Sequence, residues 1–259
     1  MRRLVRVGLT CILLLLAVAP VAARGSQTAT LSAAMRPEHL GGRTTIVFNI
    51  RVIPHGEPVP SPVVAMSLLY PANIGIVTSG LGLETCSATQ LEVQGRCPAN
   101  SLMGYGSGLV AMFFGSEVIE EQGKITTWMA PVQNGAITML FYAEAPTPVS
   151  AELIFTGQLL EAPAPFGGQI GIHVPLLPTL PGAPDASLLN MTATLGPMNV
   201  TYYAWFRGKK ILYHPAGLRL PQDCPRGGFP FAARFSFQDG TSAYARTSVP
   251  CPGRRRGHQ

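Results

Sequence analysis

Cys86 to Gly108, CSATQLEVQGRCPANSLMGYGSG, holds two of the chain's five cysteines, a Cys-Pro step and three glycines at alternate positions. It reads as a stapled loop feeding a central β-strand. Gly104, Gly106 and Gly108 alternate with Tyr105 and Ser107. Successive strand side chains point to opposite faces, so the three glycines share one face and leave it flat. Glycine in a strand interior costs backbone entropy, and its repetition predicts close packing there by a large ring or another backbone segment. A phosphate-binding loop is disfavoured: the spacing is not G-x-G-x-x-G, no strand-then-helix unit surrounds it, and no lysine follows in Walker position.

Cys86 and Cys97 are neighbours in sequence, as are Cys224 and Cys251. Four cysteines allow three pairings. The pairing 86–97 with 224–251 is preferred, because each bond closes a local loop bounded by turn residues. In the chain-entropy view each such loop contributes roughly 3 kcal/mol. The alternative is zinc, which calls for C-x2-4-C pairs or nearby histidines, and the sequence has neither. No metal site and no cofactor are expected.

The beginning of the chain, MRRLVRVGLTCILLLLAVAPVAA, has a basic start (Arg2, Arg3, Arg6), an apolar run from Val7 to Val18 and small residues before Ala23. This is the pattern of a secretory signal peptide cleaved after Ala23 or nearby. The run is short for a membrane span, so an uncleaved anchor fits less well. Arg2-Arg3 raises twin-arginine export, but Leu4-Val5-Arg6 does not extend that motif, and the general secretory route is favoured. Cys11 leaves with the leader, and an even number of cysteines enters an oxidising compartment. The expected organisation is a signal peptide over 1–23, a single β-sandwich domain over 24–252 and a basic disordered tail over 253–259. The mature protein is then secreted or associated with the cell surface, with no integral membrane segment.

Charged residues make up 12% of the chain against 47% hydrophobic, about half the usual charged share and the reverse of a disordered composition. The 28 glycines and 24 prolines break up long helices. The net charge of +6 misleads: three arginines sit in the leader and three more, Arg254 to Arg256, in the tail. The body is near neutral, which argues against nucleic-acid binding. The arginine tail reads first as a solvated end and second as a weak contact for an anionic envelope polymer.

Along the body, Thr44 to Ile53 alternates cleanly, with Ile46, Phe48, Ile50 and Val52 on one face. Strands are also expected at 28–35, 63–70, 109–114, 124–129, 136–144, 149–162 (bulged at Gly157), 168–174, 188–195 and 199–206. One short helix is expected over Ser87 to Glu92. Pro175 to Pro184, PLLPTLPGAP, reads as a long crossover or binding loop. Phe229 to Phe237 and Ser242 to Val249 flank an Asp239-Gly240 turn. As a two-residue turn it sets Phe237 opposite Ser242 and Phe235 opposite Tyr244. Many short strands, turn signals throughout and no repeat period predict an all-β, antiparallel β-sandwich, immunoglobulin-like or jelly-roll-like, with two disulfides and little helix.

Cys86, the string Cys97-Pro98-x-x-Ser101-x-x-Gly104-x-Gly106 and the closing Asp239-Gly240 hairpin before Pro250-Cys251 resemble uncharacterised secreted actinobacterial proteins with an immunoglobulin-like or related β-sandwich body. The resemblance spans most of the mature chain. It implies export and fold and carries over no activity. The tryptophan that antibody domains place between their paired cysteines is not in register here.

Catalytic motifs are absent from the sequence. There is no G-x-S-x-G and no H-E-x-x-H, and His39, His55, His173, His214 and His258 are scattered. Glu120 and Glu121 are adjacent and must face opposite ways on a strand. Glu144 and Glu152 flank a turn and would approach each other across antiparallel strands, the geometry a carboxylate-pair glycosidase needs. Tyr202, Tyr203, Trp205 and Phe206 are dense enough for a ligand platform, although aromatics are also ordinary strand residues. Asn190 and Asn199 head glycosylation sequons. The function expected is a non-catalytic binding or envelope-associated module, whose partner is an envelope polymer, a glycan or a protein. The alternative is an extracellular hydrolase acting on glycans through paired carboxylates.

Overall fold

The computed structural model describes residues 27–76, 84–146, 150–179, 184–196, 198, 202–213 and 217–252. The leader, the arginine tail, His214 and Asn199 lie outside them. The strands are β1 (Thr28–Arg36), β2 (Arg43–Ile53), β3 (Val63–Pro71), β4 (Gly75–Ile76), β5 (Leu102–Phe114), β6 (Glu117–Gln133), β7 (Ala136–Ala145) and β8 (Ala151–Leu160). They continue as β9 (Phe166–His173), β10 (Ser187–Leu195), β11 (Tyr202–Phe206), β12 (Lys209–Tyr213), β13 (Leu218–Arg219), β14 (Phe229–Phe237) and β15 (Ser242–Val249). The one α-helix among the described residues is α1 (Ala88–Gln94).

All-β class, antiparallel pairing, little helix and both expected disulfides are present. Cys86 is bonded to Cys97 and Cys224 to Cys251, with Cα atoms 5.4 and 5.9 Å apart. The sheet is nearly barrel-shaped rather than a clear sandwich. Thirteen strands form one sheet, in which the order β15-β14-β3-β9-β8-β7-β6-β5-β10-β2 leads to β1. β1 then comes alongside β15, bringing the two ends of the sheet together. Buried Gln27 fastens this seam. Its side-chain amide donates to Asp239 Oδ2 (3.1 Å) and Thr241 Oγ1 (3.2 Å), and its carbonyl accepts from the Ser61 amide (2.8 Å).

The β2 alternation is realised as read: Ile46, Phe48, Ile50 and Val52 are buried, while Arg51 and Ile53 on the other face are exposed. The β14–β15 hairpin departs from the expected register by one residue. Phe235 lies opposite Ala243 and Arg234 opposite Tyr244. Gln238, Asp239 and Gly240 form a three-residue turn, with Gly240 at φ 82° and the Phe237 amide donating to Thr241 O (3.0 Å). Asp239 Oδ1 accepts from both the amide and the hydroxyl of Thr241. Packing explains the choice, because a one-residue slip turns a whole strand over. The observed register puts Ala243, Ala245 and Val249 inside with the phenylalanines, and the expected one would put Ser242 and Tyr244 there.

Gly157 is also not a bulge, since β7–β8 and β8–β9 stay in register through it. A Cβ there would come within 2.9 Å of both Phe141 and Ile172, so glycine makes room for their side chains. Two of the three glycines expected to pack closely, Gly104 and Gly106, meet another backbone, and Gly108 does not. A Cβ on Gly106 would run into the carbonyl of Thr192, and one on Gly104 would lie 2.5 Å from that of Thr194, both on β10. The expected helix forms one residue further on. The Ser87 hydroxyl caps it by accepting from the Gln90 amide (3.1 Å), and Gly95 at φ 64° ends it.

The buried apolar residues form two clusters. Phe48, Phe229, Phe231, Phe235, Met35 and Ile50 fill the part beneath β1, β2, β14 and β15, with Phe48 edge-on to Phe231 at 5.4 Å. A second, smaller cluster lies outside the barrel wall. There Leu91 of α1 and Cys86 pack with Ala130 and Leu140, against Trp128, Tyr142 and Ile154. The stapled loop is thus a pad on the outer face of β6 and β7, joined to it by the Cys86 amide donating to Met129 O (2.8 Å).

Candidate ligand-binding cavity

β5 to β10 curve around a space that their own side chains do not fill. On β7 the odd positions Phe141, Ala143 and Ala145 face this space, while Leu140 and Tyr142 face the outer cluster. On β6 Gly123, Ile125 and Thr127 border it, on β10 Met191, Ala193 and Leu195, and on β5 Gly108 and Val110. The cavity holds about 190 Å³ and is partly open to solvent. A smaller cavity of about 50 Å³ shares the walls Leu68, Ile170 and Leu195 and runs on towards Phe48 and Met139. Phe141 and Phe155 stack at 5.2 Å and make one flat side of the larger space.

The size follows from residue choice. Gly108 and Gly123 contribute no side chain, and Ala143, Ala145, Ala151 and Ala193 contribute one methyl each. A Cβ on Gly108 would meet nothing closer than Ile125 Cδ1 at 3.6 Å, ordinary van der Waals contact, so a methyl fits there as it does not at Gly106 two residues earlier.

One end of the cavity is covered by the proline-rich connection. β9 and β10 stand on opposite sides of the ring, and the described residues that follow β9 and precede β10 lie at the mouth. Val174, Pro175, Leu176, Leu177 and Ala186 border the cavity. The Val174 amide donates to Val64 O (2.9 Å), and the Ala186 amide donates to Leu177 O (2.9 Å), which pins the two ends of the crossing. Of the expected crossover, Pro175, Leu176 and Leu177 lie against the cavity, and 180–183 lie outside the described residues.

The carboxylates sort by face. Glu120 is exposed and Glu121 is buried on the inner side. Glu144 and Glu152 lie directly opposite each other on β7 and β8, as the turn between them suggested. They share an outer-face cluster with Tyr142, whose phenol titrates above its ordinary value of 10.0. Burial is the first cause, followed by hydrogen bonds and charge repulsion from Glu152 and then Glu144. Tyr70, which borders the smaller cavity, is pushed up by burial alone.

Tyr202, Tyr203, Trp205 and Phe206 belong to β11, which pairs with β12 in a separate two-stranded sheet. Their side chains lie outside the described part. No group of three or more metal-ligating side chains gathers among the described residues, and no helix there is long and apolar enough to cross a membrane. Sequence reasoning missed the cavity. Its signal was present as glycine and alanine on alternate positions of consecutive strands, a pattern that local periodicity does not separate from ordinary packing. Comparison of the chain with known protein families, with curated proteins and with solved structures found no match.

Proposed function

We propose that this protein is an exported, non-catalytic binding protein that holds a small apolar ligand inside its barrel. The observation that carries the reading is the cavity of about 190 Å³, walled mostly by aliphatic and aromatic residues, with Thr127, Thr194, Lys124 and Glu144 also at its border. Close-packed interiors leave few voids larger than a water molecule, and an apolar void of about 150 Å³ stays dry and takes up benzene. A site of this size suits one ring or one alkyl chain, and it is small beside the pockets of about 300–1,000 Å³ that hold drug-sized molecules.

The polarity of the wall supports a water-facing protein. Membrane-spanning barrels turn apolar residues outward and polar ones inward. Here phenylalanines fill the inside, and Arg51, Glu120, Lys124 and Arg234 are exposed outside. Two disulfides fit an oxidising, extracellular setting. Retention at the envelope through a polymer, glycan or protein belongs to the same reading, with the arginine tail and the β11 aromatics as its contacts.

A second reading is favoured by the Glu144–Glu152 pairing: hydrolysis of a glycan by paired carboxylates. The two stand side by side on adjacent strands against Tyr142, and Glu144 but not Glu152 borders the cavity, whereas a glycosidase needs its carboxylates on either side of the scissile bond. Binding is therefore the better-supported function.

The test is thermal stabilisation by 1-octanol. A ligand that binds the native state raises Tm by mass action. The wild type is expected to gain stability as 1-octanol is added, and Ala143→Leu, which fills the cavity, is expected to melt normally but gain none. Equal response of the two proteins contradicts the proposal. Glycan hydrolysis that is lost on replacing both Glu144 and Glu152 by glutamine would establish the second reading instead.

A further inference from the structure

We infer that the outer face of β1, β2 and β10 binds an acidic glycan, a chain of hydroxyl-rich rings that carry carboxylates. This site goes beyond the cavity reading and does not rest on it. The three strands lie side by side, and two rungs of outward positions cross them: Thr30–Arg51–Asn190 and Ser32–Asn49–Thr192. All six residues line one open cleft, whose border is completed by Leu31, Ile50 and Met191. Strands stand about 4.8 Å apart and rise about 3.4 Å per residue, so the two rungs cover roughly 10 by 7 Å, the size of one or two sugar rings.

The Thr192 hydroxyl donates to Asn49 Oδ1 (3.0 Å), and Asn49 Nδ2 donates to Ser32 Oγ (3.4 Å). This chain fixes the Asn49 amide and leaves it one N–H and one lone pair for a ligand. On the other rung Arg51 is exposed and has no ion-pair partner among the described residues. β1, β2 and β10 contain no Asp or Glu, and every carboxylate carried by a strand is on β6, β7 or β8. Glu38 and Glu57 sit in the loops flanking β2 and do not border the cleft. One guanidinium among three hydroxyls and two amides suits a ligand with many hydroxyls and one negative group per ring. The arginine fork takes a carboxylate through two parallel hydrogen bonds. A nucleic-acid backbone calls for several cations at once, and the cleft has only Arg51.

The experiment is isothermal titration with galacturonate and glucuronate tetramers, the methyl ester of each, and inorganic phosphate. The protein is made without N-glycosylation, because Asn190 heads a sequon. At least one acid tetramer is expected to bind about tenfold or more tighter than its ester, with phosphate weakest. Arg51→Gln is a change at an exposed position and is expected to bring that acid within about twofold of its ester. Arg234→Gln removes a likewise exposed arginine on β14 and is expected to leave binding unchanged. Ester binding as tight as acid binding, or phosphate binding as tight as either, overturns the assignment. Equal losses in Arg51→Gln and Arg234→Gln, or failure of both acids, overturn it too. Each of these results leaves the cavity reading standing, since that reading is tested with 1-octanol.

Discussion

Along β14 the inward positions carry Phe229, Phe231, Ala233, Phe235 and Phe237, whereas along β5, β6 and β7 the inward positions that border the cavity include Gly108, Gly123, Ala143 and Ala145. Both sets obey the same period of two, and both belong to one continuous sheet. One half closes to a packed core with its rings almost wholly buried, and the other stays hollow. The backbone therefore does not decide which half is filled. Side-chain volume does, position by position, and the hollow half is a property of the sequence as specific as the filled one.

That contrast can be broken from either side. The largest effect is expected in the filled half: Phe235→Ala should cost about 3–5 kcal/mol in denaturant unfolding, the range for emptying a phenylalanine site in a packed core. A loss under about 1 kcal/mol would mean the filled half is as loose as the other. Next comes the bond that ties the open end of the β14–β15 hairpin, Cys224–Cys251. Replacing both cysteines by serine should lower stability by about 2–5 kcal/mol, measured the same way.

The hollow half is sharpened by two neighbouring glycines. Gly106→Ala drives a methyl into the β10 backbone and should destabilise by about 1–3 kcal/mol. Gly108→Ala puts the same methyl at ordinary van der Waals distance from Ile125, Leu188 and the Asn190 carbonyl and should be neutral or stabilise by up to about 1 kcal/mol. If the two variants behave alike, the distinction between the glycine pressed on the β10 backbone and the one with room for a methyl fails.

The smallest effect is the alkaline one. Tyr142 titrates above 10.0 in the folded protein, because of burial first and Glu152 and Glu144 after it. The unfolded chain releases that proton first. Its contribution to stability is thus complete below about pH 10 and is lost as pH rises towards and through the folded value. Denaturant midpoints followed from about pH 8 upward should fall less steeply in Tyr142→Phe than in the wild type. Identical slopes would show that Tyr142 titrates as it does in the unfolded chain.

Much of the strand content was legible because β2, β14 and β15 alternate strongly, and both cysteine pairs were legible because each is local. The order of strands was not. The β10–β2, β14–β3 and β3–β9 ladders join segments far apart in sequence, and no local pattern encodes them. The β14–β15 register was missed because Asp239-Gly240 fits either a two-residue turn or a three-residue turn, and only the burial of Ala243 and Ala245 selects the second. The cavity was missed for a related reason. Ala143 and Gly108 look like ordinary small residues until the ring closes and sets them facing one space. Glu121 was recognised as opposed to Glu120, but its burial comes only with the closed sheet, where β5 lies beside it.

Methyl NMR during titration with 1-octanol tests the difference between the halves most directly. Ligand entry should move the methyl signals of Ile125, Ile172 and Leu188 around the hollow half and leave those of Ile50 and Val249 in the filled half where they are. Shifts spread evenly over both halves, or confined to surface methyls such as Val93 and Val132, would contradict the claim that the barrel is built hollow to hold a ligand.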